Sequence, residues 1–166
     1  DETTTMVLIP SVKEKISVPL IAAGGIATGR AMLAAMVLGA DGVQVGSRFV
    51  ASPEASSHDL FKKWVVDAQE GDTQLTLKEL APVRLLKNKF YQDVQAAYAE
   101  GASVEDLKTL LGRARAKRGM FEGDMEEGEL EIGQVSGLIH DIKPAAQIVG
   151  DLMAEFNQAK SEIQDY

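Results

Sequence analysis

Two short apolar runs, each closing on glycine and set one helix apart, constrain this chain more than any other feature. The first spans Val18 to Ala23 and runs into Gly24 and Gly25; the second spans Gly42 to Val45 and runs into Gly46. Each reads as a short strand buried on both faces, as in parallel sheets. Between them, Thr28 to Leu38 carries Ala, Met and Leu at helical spacing, with Gly39 placed to close the helix. Upstream, Ile9, Val12 and Ile16 also fall at helical spacing, and Pro10 suits the first turn of that helix. The order helix, strand, helix, strand predicts parallel βαβ architecture in an α/β fold.

Two such strands do not make a stable sheet by themselves, because both outer edges would leave backbone donors and acceptors unpaired. The missing strands are expected N-terminal to Asp1. The chain opens Asp1, Glu2 and then three threonines without an initiator Met, so the natural start is expected further upstream. No basic segment precedes an apolar core there, which argues against a secretory signal. No window approaches the ~18 uninterrupted apolar residues of a spanning helix. The absence of cysteine excludes disulfides and thiolate metal sites and fits a reducing, cytoplasmic location. A net charge of -8 argues against a general nucleic-acid binder.

The glycine exits are the strongest chemical signal. Gly24 and Gly25 let backbone approach a bulky anion with no Cβ in the way and offer free N–H donors. Gly46 does the same in the second run, where the Ser47 hydroxyl and N–H also donate. A short helix starting near Ser47 would aim its N-terminal dipole at the same place. In (β/α)8 barrels a phosphate site commonly forms after strands 7 and 8, at the C-terminal face. The expected fold is therefore the C-terminal portion of a (β/α)8 TIM barrel, its last two strands, with an appended helical region. Neither a G-x-G-x-x-G fingerprint nor a Walker A loop is present.

Three regions follow from the pattern: residues 1–55 as the barrel end, 56–118 as a helical insert, and 119–166 as a glycine-rich loop with a terminal helix from about Pro144. In the insert, Ser56 or Ser57 is placed to cap a helix through Asp67, which Asp72 and Thr73 break. Pro82 is placed to start a helix through Tyr98, ended by Gly101. Ser103 and Asp106 form a capping pair for a further helix through Arg118.

The segments Val18–Arg30 (VPLIAAGGIATGR) and Leu38–Phe49 (LGADGVQVGSRF) resemble the flavoprotein superfamily of nitronate monooxygenases (2-nitropropane dioxygenases) and FMN-dependent enoyl-acyl-carrier-protein reductases. The likeness continues through Val83–Asn88 (VRLLKN), Gly123 and Asp124, and Gly133–Gly137 (GQVSG), and so covers nearly the whole chain. It implies that Gly25, Gly46 and Ser47 bind the FMN phosphate, with Ala22, Ala23 and Gly24 lining the approach. It implies that Gly133 and Gln134 lie near the flavin or the adjoining substrate channel. Gln44 lies in the matched strand with its orientation open. The family's catalytic or substrate-contacting His precedes the position matching Asp1, so the resemblance implies no catalytic residue within this segment.

The remaining candidates read as structural. His58 stands at a helix entry as a surface or capping residue, and His140 takes a structural role after an apolar turn. No cluster has credible metal spacing. The acidic run from Glu122 to Glu131 lacks the order of a calcium loop and reads as solvated. The basic cluster Arg113, Arg115, Lys117 and Arg118 reads as an exposed helix end; the functional alternative is a contact for a nicotinamide phosphate or an acidic carrier protein. Arg84 and Asn88, four apart, are expected on one helix face, either fixing a helical cap over the barrel mouth or contacting substrate.

For the intact protein the resemblance implies an FMN-dependent oxidoreductase. The first expectation is an NAD(P)H-dependent enoyl-acyl-carrier-protein reductase of fatty acid biosynthesis; the alternative is a nitronate monooxygenase, which needs no nicotinamide. A third reading is a non-catalytic fragment or one chain of a split flavoprotein. The expected partners are the missing N-terminal barrel half, a small-molecule or acyl-thioester substrate and a second copy in a homodimer, with neither nucleic acid nor membrane.

Overall fold

The computed structural model describes residues 3–163. Helix α1 (Thr5–Lys13) leads to strand β1 (Ile21–Ala23), helix α2 (Gly29–Val37) and strand β2 (Gly42–Gln44), and β1 and β2 pair in parallel with Ala22 opposite Val43. The βαβ order predicted from the apolar runs is present. Thr28 caps α2, its side chain accepting from the Ala31 N–H at 3.1 Å, and Gly39 leaves the helix at φ +112°. Pro10 is not in the first turn of α1 but inside it. The helix starts earlier, with the Val7 and Leu8 N–H groups both donating to the Thr4 carbonyl.

The strands are buried on one face only. Ala22 packs with Ile9, Ile26, Ala35 and Ala40, and Val43 and Val45 join that cluster. The other face bears Ile21, which is 55% exposed, together with exposed Ala23 and Gln44. Burial on both faces was expected; among the described residues nothing packs against this second face, and the sheet has two strands with the barrel not closed. Alternation along the strand settles Gln44: it pairs with Ala23 and shares its open face.

The insert is not wholly helical. After α3 (Ser47–Val50) and α4 (Asp59–Asp67), strands β3 (Thr73–Thr76) and β4 (Val83–Leu86) pair antiparallel, and only then does α5 (Lys89–Ala99) begin. The helix expected from Pro82 is displaced because Val83–Leu86 is held from both sides, by β3 and by a bridge from Leu85 to Glu131. Arg84 and Asn88 thus share no helix face: Arg84 lies in β4, and Asn88 caps α5. The cap of α4 falls on His58, whose Nδ1 accepts from the Leu60 N–H, and not on Ser56 or Ser57. Ser103 and Asp106 close a full capping box on α6 (Val104–Leu111), but this helix stops at Gly112, φ +65°, well before Arg118. A separate π-helical turn covers Lys117–Phe121.

The terminal helix α7 (Ala145–Ile163) packs across α2. Gly29 makes this possible: a Cβ there would lie 2.2 Å from the Leu152 carbonyl oxygen. The Gly29 N–H donates to Glu155 at 2.8 Å, and Arg30 pairs with Glu162. Two further cores serve the insert. Phe61, Val65, Leu130 and Ile139 form one beneath α4, while Leu77, Leu85, Phe90, Val94 and Leu107 form the other between β4, α5 and α6.

Candidate functional site

β1 and β2 end side by side because they are parallel, so their glycine exits share one rim. Gly24 and Gly25 follow β1 at φ +89° and +74°, a left-handed pair that non-glycine residues enter only with strain. Around Gly24 and Gly46 no atom beyond the adjoining residues lies within 4 Å of where a Cβ would stand. Gly46 caps α3, whose first residue is Ser47. Among the described residues, no backbone carbonyl takes up the N–H groups of Gly25, Gly46 or Ser47. The rim therefore presents exposed, donor-rich backbone.

Ser47 joins this rim to the last third of the chain. Its Oγ accepts from the Gly133 N–H at 3.1 Å, leaving the hydroxyl proton free to donate toward the rim. A Cβ on Gly133 would stand 2.8 Å from that oxygen, so the close approach needs glycine. Gly133 then leads into a 3-10 turn, Gln134–Leu138. Gly46, Ser47 and Gly133 thus line one hollow, and Gly25 leaves the neighbouring strand at the same end. Ala23 and Gly24 are exposed beside them, while the Ala22 methyl points into the helix-side core and does not line the approach. Gln134 is exposed and borders a neighbouring hollow.

Two hollows adjoin here. One, about 420 Å³, is lined by Gly46, Ser47, Arg84, Glu131 and Gly133; the other, about 460 Å³, by Thr73, Arg84, Gln134, Gly137 and Glu70. Arg84 borders both. Its Nη1 donates to the Thr73 carbonyl and hydroxyl at 3.3 and 3.2 Å. The sequence reading puts Arg84 over the barrel mouth or against substrate, but on a helix; the strand that carries it depends on β3 and β4 pairing.

The other candidates resolve into scaffold. Arg115 donates to the Leu110 and Leu111 carbonyls at the end of α6 and to the Glu127 carbonyl, and stacks 4.4 Å from the Phe90 ring centre. Arg118 pairs with Asp124 and Lys117 with Glu122. His140 is exposed. The acidic run is not uniformly solvated: Glu129 is 8% exposed, and burial, with the Glu131 charge adding to it, pushes its carboxyl up to about 7 against the pull of Arg115. Burial also raises Glu131.

These features define the C-terminal part of a (β/α)8 barrel with a glycine-rich rim of exposed backbone donors. FabK from Thermotoga maritima superposes with a TM-score of 0.91 at 40% identity, over 100% of this chain and 53% of its own. A nitroalkane oxidase from Streptomyces ansochromogenes gives 0.74 at 30% identity, over 96% of this chain and 45% of its own. A probable nitronate monooxygenase of Staphylococcus saprophyticus is 32% identical over 87% of this chain and 41% of its own length. The nitronate monooxygenase family model matches residues 1–155, and the chain belongs to that family. It spans less than half the length of the curated relatives it matches.

Proposed function

We propose that the glycine rim holds the phosphate of FMN and that this chain forms the flavin-phosphate end of an FMN-dependent oxidoreductase. The open space at Gly24 and Gly46, with the unclaimed N–H groups of Gly25, Gly46 and Ser47, supports this reading. Backbone donors suit a phosphate because they are fixed before it arrives. Bound there, FMN supplies the redox chemistry. The chain's own part is to fix the phosphate by Gly25, Gly46 and Ser47, and to hold Gly133 and Gln134 beside the mouth through the Ser47–Gly133 bond. The exposed face of β1 and β2 is where the N-terminal barrel strands would pack, whether they come from one polypeptide or from a separate one, and they would bring the catalytic group.

Within this class the first reading is an NAD(P)H-dependent enoyl-thioester reductase, favoured by 40% identity to FabK along the whole chain. The second is a nitronate monooxygenase, favoured by the family match and by the names of the curated relatives. An anaerobic assay of the complete barrel, following the visible absorbance of its flavin, separates them. Bleaching by NADPH or NADH that an enoyl thioester reverses is the expected result. Bleaching by an alkyl nitronate, with nicotinamide inert, would establish the second reading, and a complete barrel that retains no flavin would overturn both.

A further inference from the structure

Four of the chain's arginines have a carboxylate partner: Arg30 with Glu162, Arg48 with Asp141, Arg115 with Glu127 and Arg118 with Asp124. Among the described residues Arg113 and Arg84 have none. Arg113 is exposed, where water solvates it, whereas Arg84 is half-buried. Only Nη1 is engaged, by Thr73, and Thr73 is itself buried. The rest of the guanidinium fork has no acceptor among the described residues. Arg84 lines both hollows, and a planar fork anchored at one end is pre-organised for a bidentate anion.

Its surroundings show where such an anion would come from. Arg84 stands at the junction of the two hollows, one reaching back to Gly46 and Ser47, the other running outward past Gln134 and Gly137. Glu131 lines the inner hollow with Arg84 but makes no ion pair with it among the described residues. Its bridge to Leu85 places it on the Leu85 side of the strand, and successive strand residues point to opposite faces. Glu70, in the outer hollow, is exposed and makes no ion pair with Arg84.

We infer that Arg84 is the receptor for a phosphate group on the second substrate of the flavin site, a group distinct from the FMN phosphate. The inference rests on the proposed flavin reading. The FMN phosphate has its own donors in Gly25, Gly46 and Ser47, so the guanidinium is left for a ligand lying along the outer hollow. Both a nicotinamide dinucleotide and a phosphopantetheine thioester carry such a phosphate; a simple alkyl nitronate does not.

The test uses the complete flavin-loaded barrel, as wild type, Arg84→Met and Arg84→Lys. Flavin affinity is measured first, then KM and kcat with NADH and NADPH, and with an enoyl thioester of coenzyme A against the same acyl group on phosphate-free N-acetylcysteamine. Arg84→Met is expected to raise KM about tenfold for one phosphate-bearing substrate, as loss of one charge-assisted contact implies, while kcat and flavin affinity stay unchanged. A rise confined to the nicotinamides identifies the dinucleotide. A rise confined to the coenzyme A thioester, absent with its phosphate-free counterpart, identifies the carrier phosphate. Arg84→Lys keeps the charge without the fork and is expected to fall between, and it carries the comparison if Arg84→Met does not fold. Unchanged KM values throughout would overturn the inference while leaving the flavin reading intact. Weakened flavin binding would overturn it too, by assigning Arg84 to the FMN phosphate. A wild-type barrel without flavin would sink the underlying reading before any variant is made.

Discussion

Asn88 shows how much one side chain can organise. It is 4% exposed; its amide nitrogen donates to the carbonyls of Met125, Glu126 and Gly128, and its oxygen accepts from the Tyr91 N–H. One residue thus starts α5 and pins the acidic loop against it. Asn88→Ala takes this donor from the Met125 and Gly128 carbonyls, while the Glu126 carbonyl keeps the Phe90 N–H, and is expected to cost about 2–3 kcal/mol, read as a lowered denaturation midpoint in urea. Glu129 is a different case, because its carboxyl is held above the ordinary 4.5, at about 7. The folded state therefore binds this proton more tightly than the unfolded chain, and stability falls as pH rises from about 4.5 through about 7. Glu129→Gln is expected to flatten that fall, gaining about 1–2 kcal/mol at pH 8 and almost nothing at pH 4, in melts run across the range. At the rim, Ser47→Ala removes the acceptor for the Gly133 N–H and, on the proposed flavin reading, a donor to the FMN phosphate. FMN binding in the complete barrel is expected to become about tenfold weaker, measured by flavin fluorescence; no change would remove Ser47 from the site.

Among the elements, α2 and α7 depend on each other through Gly29. An alanine there would drive its methyl into the Leu152 carbonyl and the Phe156 N–H, at 2.2 and 2.3 Å, and backbone cannot swing aside as a flexible side chain can. Gly29→Ala is expected to cost about 2–3 kcal/mol and to raise amide exchange along α7 more than along α5. The elements also show which signals are local. α2 was readable because Thr28 and Gly39 mark its ends within its own sequence, and the α6 capping box was readable for the same reason. β4 was not, because Val83–Leu86 has no alternation to set it apart from a helix; β3 and Glu131, distant in sequence, make it a strand. The spacing of Arg84 and Asn88 points to a shared helix face, whereas the β3–β4 pairing sets Arg84 between two hollows. That the glycine exits meet at one end is legible in the sequence, since parallel strands bring their ends together once their order is known. The facing of Ala22 is not, because which strand residues face the helices depends on register.

On the scale of the whole molecule, the described residues bury three cores but leave one side of the parallel pair open. Met6, Val7, Leu8, Val18 and Ile21 are all about half exposed or more. By itself the chain is expected to bind a hydrophobic dye such as ANS and to associate at micromolar concentration, and the complete barrel to do neither. Equal dye binding by both would mean that the open face is not where the remaining strands pack. No helix among the described residues is long and apolar enough to cross a membrane. The contact between Gly29 and Glu155 spans 126 residues, and that separation has a consequence for synthesis. At about 5–20 residues per second, a ribosome needs roughly 6–25 seconds to make the residues that cover α2. Throughout that interval the newborn βαβ unit carries an unshielded helix face, and the glycine rim gains its Gly133–Ser47 bond only after Gly133 has emerged. Nascent chains halted between Ser47 and Gly133 should therefore be the ones that chaperones hold longest.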